Sequence, residues 1–425
     1  MRSNEKLPSR VRALVLGGGI HGVGILHDLA SRGWKDIHLV EKNQLGSGTS
    51  SRSTKLIHGG LRYLKNPFDF DLVKEALSER GLLMQLAPDL VHPIRMMLPA
   101  FRNHGMPPQF LKIGLTLYDF LAGKAAFRKH EVISAKEFSH LAPMVRTDNI
   151  KKVFSFWDGQ TDDLALVTRV AESAAILGGQ ISENCHAESV KPTDDGWEVL
   201  VRTARGEVKK ISALYVINAL GPWSNIFLNT SGIEPKILGL NNEGVHLLVK
   251  DLGFKSGVLF QLPGSKRIFF VLPWQGLTLI GTTEDLFAGS PDALRVREET
   301  VKHLLDSVNQ FFNVRLHPNE ILTTFSGLRW LPVQAKKSLS GLSRSAELGI
   351  HKSERGFLLT IYGGKLTTYR SLAKKVGDIV MSDFGEKRES KTDDPNFWKK
   401  PDAGKSRKTD VVERFAAIMR SSAAS

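Results

Sequence analysis

The sequence is short of cysteine, of long apolar runs and of acidic residues. Its one cysteine, Cys185, cannot form a disulfide within the chain, which fits a reducing compartment. No run of about 18 apolar residues is present, so the sequence predicts no membrane-spanning helix. Asp and Glu number 44 against 58 Lys and Arg, and the resulting net charge of +14 favours anionic partners such as nucleic acid, anionic lipid or phosphorylated substrates.

The chain is long enough for two domains. Its 425 residues exceed the roughly 100–200 of one ordinary domain. Near the N-terminus, basic residues precede an apolar run as they do in a signal peptide. Three glycines interrupt the run at once and no cleavage-type sequence follows, so residues 11–16 are interpreted as a strand.

A dinucleotide-binding fingerprint follows that strand. The sequence GGGIHG at residues 17–22 fits G-x-G-x-x-G, opens a predicted helix, and is followed by a second predicted strand that ends in Glu41. Gly17 allows the tight turn, Gly19 lets the backbone approach a pyrophosphate, and Gly22 lets the helix pack on the strand. The helix N-terminus favours the pyrophosphate, and Glu41 is predicted to accept hydrogen bonds from the adenosine ribose.

The segment TSSRSTKLIHGGLRY, residues 49–63, favours FAD over NAD, which the fingerprint alone does not separate. An extended FAD needs polar groups directly after the second strand, whereas a nicotinamide site does not. Several hydroxyl groups here can donate to a pyrophosphate and a ribityl chain: Thr49, Ser50, Ser51 and Ser53. A serine-rich loop without a ligand is the alternative interpretation.

The rest of the chain changes character along its length. Helical periodicity covers residues 68–86, a segment from Pro107, residues 161–179 and residues 297–313, whereas residues 243–283 are rich in strands and predict an antiparallel sheet. Beyond Gly385 the composition turns polar and predicts a disordered linker. The sequence DVVERFAAIMR near the C-terminus predicts one short amphipathic helix.

Several long motifs resemble the FAD-dependent glycerol-3-phosphate dehydrogenase family of the aerobic, quinone-linked type. They are TSSRSTKLIHGGLRYL, ALGPW, KRIFFVLPW, LIGTTED, FSGLRWL and YGGKLTTYR, in the order that the family shows, and the resemblance runs from about residue 11 to about residue 380. It implies an α/β fold: a discontinuous Rossmann-like FAD domain of the glutathione-reductase type with an antiparallel β-sheet substrate domain. The implied reaction oxidises sn-glycerol 3-phosphate to dihydroxyacetone phosphate by hydride transfer to FAD, with the electrons passing to a quinone.

The resemblance also implies a division of the chain into segments. The FAD domain is expected in three parts, at residues 1–95, 146–238 and 323–385. Residues 96–145 are expected to form a cap that faces the substrate or a membrane, and residues 239–322 the substrate sheet. Residues 386–425 are expected to form a charged, partly disordered tail in place of the helical C-terminal domain that family members usually carry. Two residues depart from the family motifs, Glu284 in place of Asp and Trp330 in place of Pro.

The implied substrate carries a phosphate dianion and a secondary alcohol, and the resemblance implies residues for binding the first and oxidising the second. Arg329 and Lys365 are expected to contact the substrate, followed by Lys55 and Arg62, because arginine forks and lysine charges hold phosphate. Arg267 is expected to form a structural salt bridge. Oxidation of the alcohol needs a base, and histidine has a suitable pKa range. His58 and His246 are both candidates, and the sequence does not choose between them.

Further residues are expected at the flavin by their place in the motifs. Gly363 and Gly364 precede a predicted helix and would bring backbone N–H groups to the flavin edge. The remaining predicted cofactor contacts are Lys42, Gly59, Gly221, Leu366 and Thr367. FAD is expected to bind non-covalently, since Cys185 lies outside the FAD segment. No metal site is predicted.

Residues 107–130 carry apolar side chains at helical spacing between basic residues, which is typical of a helix at a membrane surface and also of a helix packed on a sheet. With the family resemblance, this pattern predicts a cytoplasmic protein in peripheral contact with the inner face of the cytoplasmic membrane. Nucleic-acid binding is not predicted, because no recognition motif accompanies the charge.

Two other functions stay open at the level of sequence. One is a related FAD oxidoreductase that acts on another 2-hydroxy acid or on an amino acid, although such carboxylate substrates rarely need so many cations. The other is a flavin-binding subunit that needs a partner chain for activity.

Overall fold

The computed structural model describes residues 7–66, 69–265, 267–333 and 345–400. The predicted C-terminal helix DVVERFAAIMR lies outside these residues. Eight α-helices occur in the described part: α1 (Ile20–Ser31), α2 (Phe70–Leu86), α3 (Pro108–Ala122), α4 (Ala135–Leu141), α5 (Asp163–Ile176), α6 (Ser224–Thr230), α7 (Glu298–Asn309) and α8 (Tyr369–Phe384).

A mostly parallel sheet forms one half of the molecule. Its strands are β1 (Arg10–Leu16), β2 (Ile37–Val40), β7 (Gln180–Ser182), β8 (His186–Thr193), β9 (Gly196–Arg202), β10 (Val208–Asn218), β17 (Glu347–Lys352) and β18 (Phe357–Tyr362). The main path runs β17-β18-β10-β1-β2-β7, with β9 joined to β10 and β8 joined to β9. The strand β18 reads FLLTIY and is buried at every position, as expected of a strand covered on both faces.

The second sheet is large and mostly antiparallel. Its strands are β3 (Leu56–Ile57), β4 (Val91–Phe101), β5 (Glu131–Ile133), β6 (Ile150–Thr161), β11 (Gly239–Val249), β12 (Gly257–Gln261), β13 (Ile268–Trp274), β14 (Leu277–Gly281), β15 (Asp285–Phe287) and β16 (Ile321–Pro332). The predicted antiparallel pairing holds except between β12 and β4, which run parallel.

The chain passes between the two sheets four times, because β1–β2, β7–β10 and β17–β18 belong to the first and β3–β6 and β11–β16 to the second. The boundary expected at residue 146 therefore differs from the structure, since β6 lies in the second sheet. The boundary at residue 323 differs in the same way, since β16 continues to Pro332. Both strands hydrogen-bond along their length to the second sheet, β6 to β4 and β16 to β11.

Residues 386–400 are packed against the first half, so the prediction of a disordered linker is wrong for them. Trp398 is 5% exposed, and its ring meets that of His27 on α1 edge to face at 5.4 Å. Arg32 of α1 donates to the carbonyl of Arg388 at 2.7 Å. The prediction failed because it rested on the polar composition of the segment. That composition does not reveal the contacts that hold the segment against α1. Residues 401–425 lie outside the described residues.

Candidate active site

The fingerprint turn has the geometry that its glycines predict. Gly17 takes φ +99°, a left-handed conformation that favours glycine. A Cβ on Gly22 would overlap the carbonyl oxygen of Gly17, so the helix could not approach the strand with any other residue there. Gly19 lies at the N-cap of α1, against the Ser50 hydroxyl. The N-terminus of α1 therefore faces the segment that follows β2.

Glu41 lies at that turn. Its carboxylate accepts from the backbone N–H of Gly18 at 2.6 Å and from that of Asn43 at 2.8 Å. Burial raises the pKa of Glu41. The next residue, Lys42, instead reaches Asp292 at 3.3 Å, and Trp223 Nε1 also donates to that carboxylate. Glu41 thus lies at the fingerprint turn with its carboxylate bound to two backbone N–H groups, while Lys42 is held in an ion pair with Asp292.

The four predicted hydroxyl groups take different partners. Ser50 Oγ accepts from the backbone N–H of Ile20 at 2.9 Å and so lies at the N-terminus of α1. Thr49 Oγ1 donates to the carbonyl of Leu328 on β16, and the fully buried Ser51 turns back toward the carbonyl of Gly48. Ser53 Oγ donates to Asp163 Oδ2 at 2.7 Å. Of the four, Ser50 is the one that hydrogen-bonds to the N-terminus of α1, where the sequence predicts the pyrophosphate.

Lys55 lies in a fully buried ion pair, which gives no support to its predicted contact with the substrate. Its Nζ lies 2.6 Å from Asp163 Oδ1 and 2.6 Å from the carbonyl oxygen of Ser51, and both charged side chains are fully buried. The ammonium group also lies over the rings of Trp274 and Phe325. Lys55 therefore fixes the segment to α5 and to the second sheet.

The other three predicted cations converge. Arg62 pairs with Glu284 at 3.0 Å. Arg329 donates to Thr282 Oγ1 at 2.8 Å and to Asn242 Oδ1 at 3.0 Å. Since Thr282 and Glu284 are two residues apart, both guanidinium groups border the same short segment.

Lys365 joins this group through an aromatic ring. Its Nζ lies 4.0 Å from the centre of the Tyr63 ring, and Tyr63 directly follows Arg62. The arrangement suits a dianion, because arginine forks and lysine charges hold phosphate and, among the described residues, Glu284 is the carboxylate that pairs with this group. Arg267, by contrast, is 3.7 Å from Asp285 at the surface, which confirms the predicted structural salt bridge.

The two candidate bases lie in different environments. His246 is fully buried, hydrogen-bonds through Nε2 to Thr54 Oγ1 at 3.0 Å and stacks on Phe325. Burial, with smaller contributions from Arg329 and Lys55, lowers the pKa of His246 well below its usual value. A general base works best with a pKa near the working pH, so His246 is disfavoured. His58 is half-buried, and its backbone N–H donates to Thr367 Oγ1 at 3.1 Å.

The glycines near the C-terminal motif make close backbone approaches. Gly363 and Gly364 have φ of +74° and +98°, and a Cβ on Gly364 would overlap the His21 ring. Gly221 also has positive φ, at +56°. Gly59 instead donates its N–H to the Tyr118 hydroxyl at 2.9 Å. Leu366 is half-buried beside Thr367.

Sequence reasoning missed several residues of the site. His21 lies inside the fingerprint, and burial lowers its pKa to about 4. Tyr63 lies in the motif TSSRSTKLIHGGLRYL and Thr282 in LIGTTED. Both residues could therefore have been proposed from the motifs. Asn242 carries no sequence signal, since only the register of β11 against β16 places it opposite Arg329.

These residues fit FAD. A Cβ on Gly17 or Gly22 would overlap backbone oxygens, the N-terminus of α1 lies at this turn, and the left-handed turn at Gly363 and Gly364 returns the chain to the same helix at His21. In the part of the chain that the structure describes, no group of three or more His, Cys, Asp or Glu is placed to hold a metal ion. Among the same residues, no helix combines the length and apolar character needed to cross a membrane.

Comparison with known proteins agrees with this geometry. Residues 12–370 match the family model described as FAD dependent oxidoreductase. Because the match covers most of the chain, the protein belongs to the FAD-dependent oxidoreductases. This membership confirms the predicted fold class, the enzyme class and FAD as cofactor.

Within that family the chain is similar to dehydrogenases of polyol phosphates, which confirms the resemblance stated from the motifs. It is 34% identical over 365 residues to the aerobic glycerol-3-phosphate dehydrogenase of Escherichia coli (strain K12), covering 85% of this chain and 71% of the relative. It is 33% identical over 375 residues to the D-erythritol 1-phosphate dehydrogenase of Brucella abortus (strain 2308), covering 87% and 73%. The glycerol-3-phosphate dehydrogenase from Bacillus halodurans, solved with FAD, superposes with a TM-score of 0.72 at 26% identity, covering 90% of this chain and 67% of that one.

Proposed function

We propose that this protein oxidises sn-glycerol 3-phosphate to dihydroxyacetone phosphate. The observation that carries the proposal is the convergence of Arg62, Arg329 and Lys365 beside the flavin-binding segments. The two relatives described above, which are named for phosphorylated polyols, support the same substrate class. When bound, FAD supplies the two-electron acceptor that the alcohol oxidation needs.

The cations hold the substrate by its phosphate. Arg329 is oriented by Asn242 and Thr282, which leaves its fork fixed rather than free to rotate. Arg62 is held by Glu284, and Lys365 by the face of Tyr63. Fixed donors lose little conformational freedom when the phosphate binds, and this favours both affinity and one orientation of the alcohol.

His58 takes the hydroxyl proton on a ring nitrogen. Loss of that proton and of the hydride from the same carbinol centre converts the alcohol to the ketone. His58 is half-buried, and its main chain is fixed by Thr367. His246 contributes by holding Thr54, in the same segment, rather than by accepting the proton.

FAD is proposed to be held non-covalently by the first turn of α1 and the segments around it. Gly17, Gly19, Gly22 and Ser50 would hold the pyrophosphate, and Glu41 the ribose. Gly363, Gly364 and Thr367 would lie near the isoalloxazine ring.

A quinone is the proposed electron acceptor, reached at a membrane surface on the cytoplasmic side. Helix α3 supports the membrane contact, since three of its apolar side chains point outward: Phe110, Ile113 and Phe120 are 61%, 64% and 79% exposed. Exposed basic residues lie on α3 or near it in the sequence: Arg102, Lys112, Lys124, Arg128 and Lys129. Exposed apolar groups with a basic border favour an anionic lipid surface.

Vesicle binding tests the membrane contact. The double variant F110S/F120S should lose co-sedimentation with anionic vesicles while keeping flavin reduction by substrate. Ile176→Ser is the matched control, because Ile176 is equally exposed, at 69%, but lies on α5. Equal sedimentation of wild type and F110S/F120S would exclude α3 as the contact.

Erythritol phosphate is a second candidate substrate. The relative from Brucella abortus supports it, and Glu284, where the family motif has Asp, borders the phosphate cluster. The cation cluster gives less support to a 2-hydroxy acid or an amino acid, since one carboxylate does not need three cations.

Anaerobic flavin spectra test the proposed function. Addition of sn-glycerol 3-phosphate to the purified yellow protein should bleach the oxidised-flavin absorbance. Bleaching by erythritol phosphate alone would select the second candidate. Failure of both would leave an FAD protein that acts on another substrate or needs a partner subunit.

A further inference from the structure

Four arginines are buried among the described residues, and one of them differs from the rest. Arg32, Arg80 and Arg370 each pair with a buried carboxylate, from Asp28, Asp158 and Glu79. Arg52 is 9% exposed and forms no ion pair with any described carboxylate. A buried charge without a counter-charge is destabilising.

Arg52 lies between the fingerprint and the second sheet. Its Cβ packs against Gly327 of β16, and Nη1 donates to the carbonyl of Ser326 at a long 3.3 Å. Its Nε has no hydrogen-bond partner in the described structure. Ser50, two residues earlier, is bonded to the first N–H group of α1, so Arg52 borders the segment that faces the pyrophosphate position.

The surroundings of Arg52 add positive charge rather than negative charge. Burial, and then the nearby guanidinium of Arg295, lower the pKa of Arg52. Arg295 itself donates to the carbonyls of Asp292 and Leu294. A buried guanidinium with a second cation nearby favours an anion at that place.

We propose that Arg52 binds a phosphoryl group of a bound ligand. Its position next to Ser50 favours the pyrophosphate of FAD as the source of that group. The phosphate of the substrate is the second source, because Arg52 shares the face of β16 that carries Arg329, and this alternative rests on the proposed function. The contact would be a charge-assisted hydrogen bond, the stronger class of hydrogen bond in proteins.

The test measures FAD affinity and thermal unfolding of the full chain. Arg52→Met should raise the dissociation constant for FAD, followed by flavin fluorescence, by about tenfold to a hundredfold. Arg52→Lys, which keeps the charge, should lose less FAD affinity than Arg52→Met. Without FAD, the unfolding temperature of Arg52→Met should equal or exceed that of wild type, because the variant removes an unpaired buried charge. With FAD, the gain in unfolding temperature should be smaller than in wild type.

Arg32→Met is the matched control. It breaks a buried pair at the far end of α1, so it should lower the unfolding temperature with and without FAD. Unchanged FAD affinity together with a Michaelis constant for sn-glycerol 3-phosphate raised at least tenfold would place the phosphoryl group on the substrate. Wild-type affinity for both ligands, or an FAD-free unfolding temperature that falls as far as in Arg32→Met, would overturn the proposal. A wild-type protein that binds FAD without oxidising the substrate would refute the proposed function and leave the FAD measurement valid.

Discussion

Arg329 is the residue on which the proposed phosphate site depends most. Replacing it with alanine should raise the Michaelis constant for sn-glycerol 3-phosphate by about tenfold to a hundredfold, because a charge-assisted contact to the phosphate is lost. FAD should stay bound, since Arg329 contacts Asn242 and Thr282 rather than the fingerprint. Steady-state kinetics and the flavin spectrum check the two parts separately.

The control for that variant is Arg267→Ala. Like Arg329, Arg267 is an arginine within one of the family motifs, but it pairs with Asp285 at the surface. Its kinetics should equal those of wild type. Equal kinetics in Arg329→Ala as well would remove Arg329 from the phosphate site.

Lys55 and Asp163 form a buried pair whose role is structural. Removing one partner, in Lys55→Met or Asp163→Asn, should lower the free energy of unfolding by about 3–5 kcal/mol, because the other group is left buried without full compensation. The double variant K55M/D163L should lose less unfolding free energy than either single variant. Urea denaturation measures all three, and a double variant as unstable as the sum of the singles would contradict this account.

Lys55 also shows how far residue types alone can predict a site. Lys55, Arg62, Arg329 and Lys365 all lie in motifs, and the sequence could name them as cations near the flavin. It could not pair Lys55 with Asp163, 108 positions away, because that contact depends on where α5 packs. The same limit applies to His246, whose burial against Phe325 follows from the register of β11 and β16.

At the scale of helices and strands, local periodicity predicted most of what forms. The βαβ unit of β1, α1 and β2 forms as predicted, and α8 follows Gly363 and Gly364 as predicted. The assignment of strands to sheets was less accurate, since β6 joins the second sheet by pairing with β4. Long-range pairing of this kind leaves no mark in the composition of the strand itself.

Residues 386–400 form an element that composition alone could not reveal. Trp398→Ala should lower the free energy of unfolding by about 3–5 kcal/mol, as expected when a buried Trp side chain is removed. The loss follows from its contacts with the ring of His27 and with the carbonyl of Thr392. Thermal or urea denaturation measures this loss. Asn396→Ala, at an exposed neighbouring position, should leave the free energy of unfolding unchanged in the same measurement. If Trp398→Ala were as stable as wild type, residues 386–400 would contribute no packing and would be a linker, as their composition predicted.

For the whole molecule, buried histidines make stability depend on pH. Burial lowers the pKa of His27 to about 4, below the usual 6.5. The unfolded chain therefore binds a proton at this residue between those values that the folded chain does not. The stabilising effect is complete above pH 6.5 and is lost as the pH falls toward 4, with a loss of about 2 kcal/mol at pH 5.

His27→Gln isolates that contribution. The amide can still donate to the carbonyl of Phe397, which His27 Nε2 contacts at 2.7 Å, but it does not titrate. Urea denaturation at pH 7.5 and pH 5 should show a smaller difference for His27→Gln than for wild type. His303→Gln, at an exposed position of α7, should keep the wild-type difference, and an equal difference in His27→Gln would show that other groups control the acid sensitivity.

The four passages of the chain between the sheets have a consequence for how such a protein can change in evolution. The second sheet is encoded in two separate stretches, which the strands of the first sheet interrupt. A recombination event with one crossover between β1 and β18 would therefore always divide the first sheet, and a crossover between β3 and β16 would divide the second sheet as well. Exchange of the substrate-facing sheet for that of a relative needs four junctions, so new specificity would arise more readily by single substitutions than by inheritance of a domain.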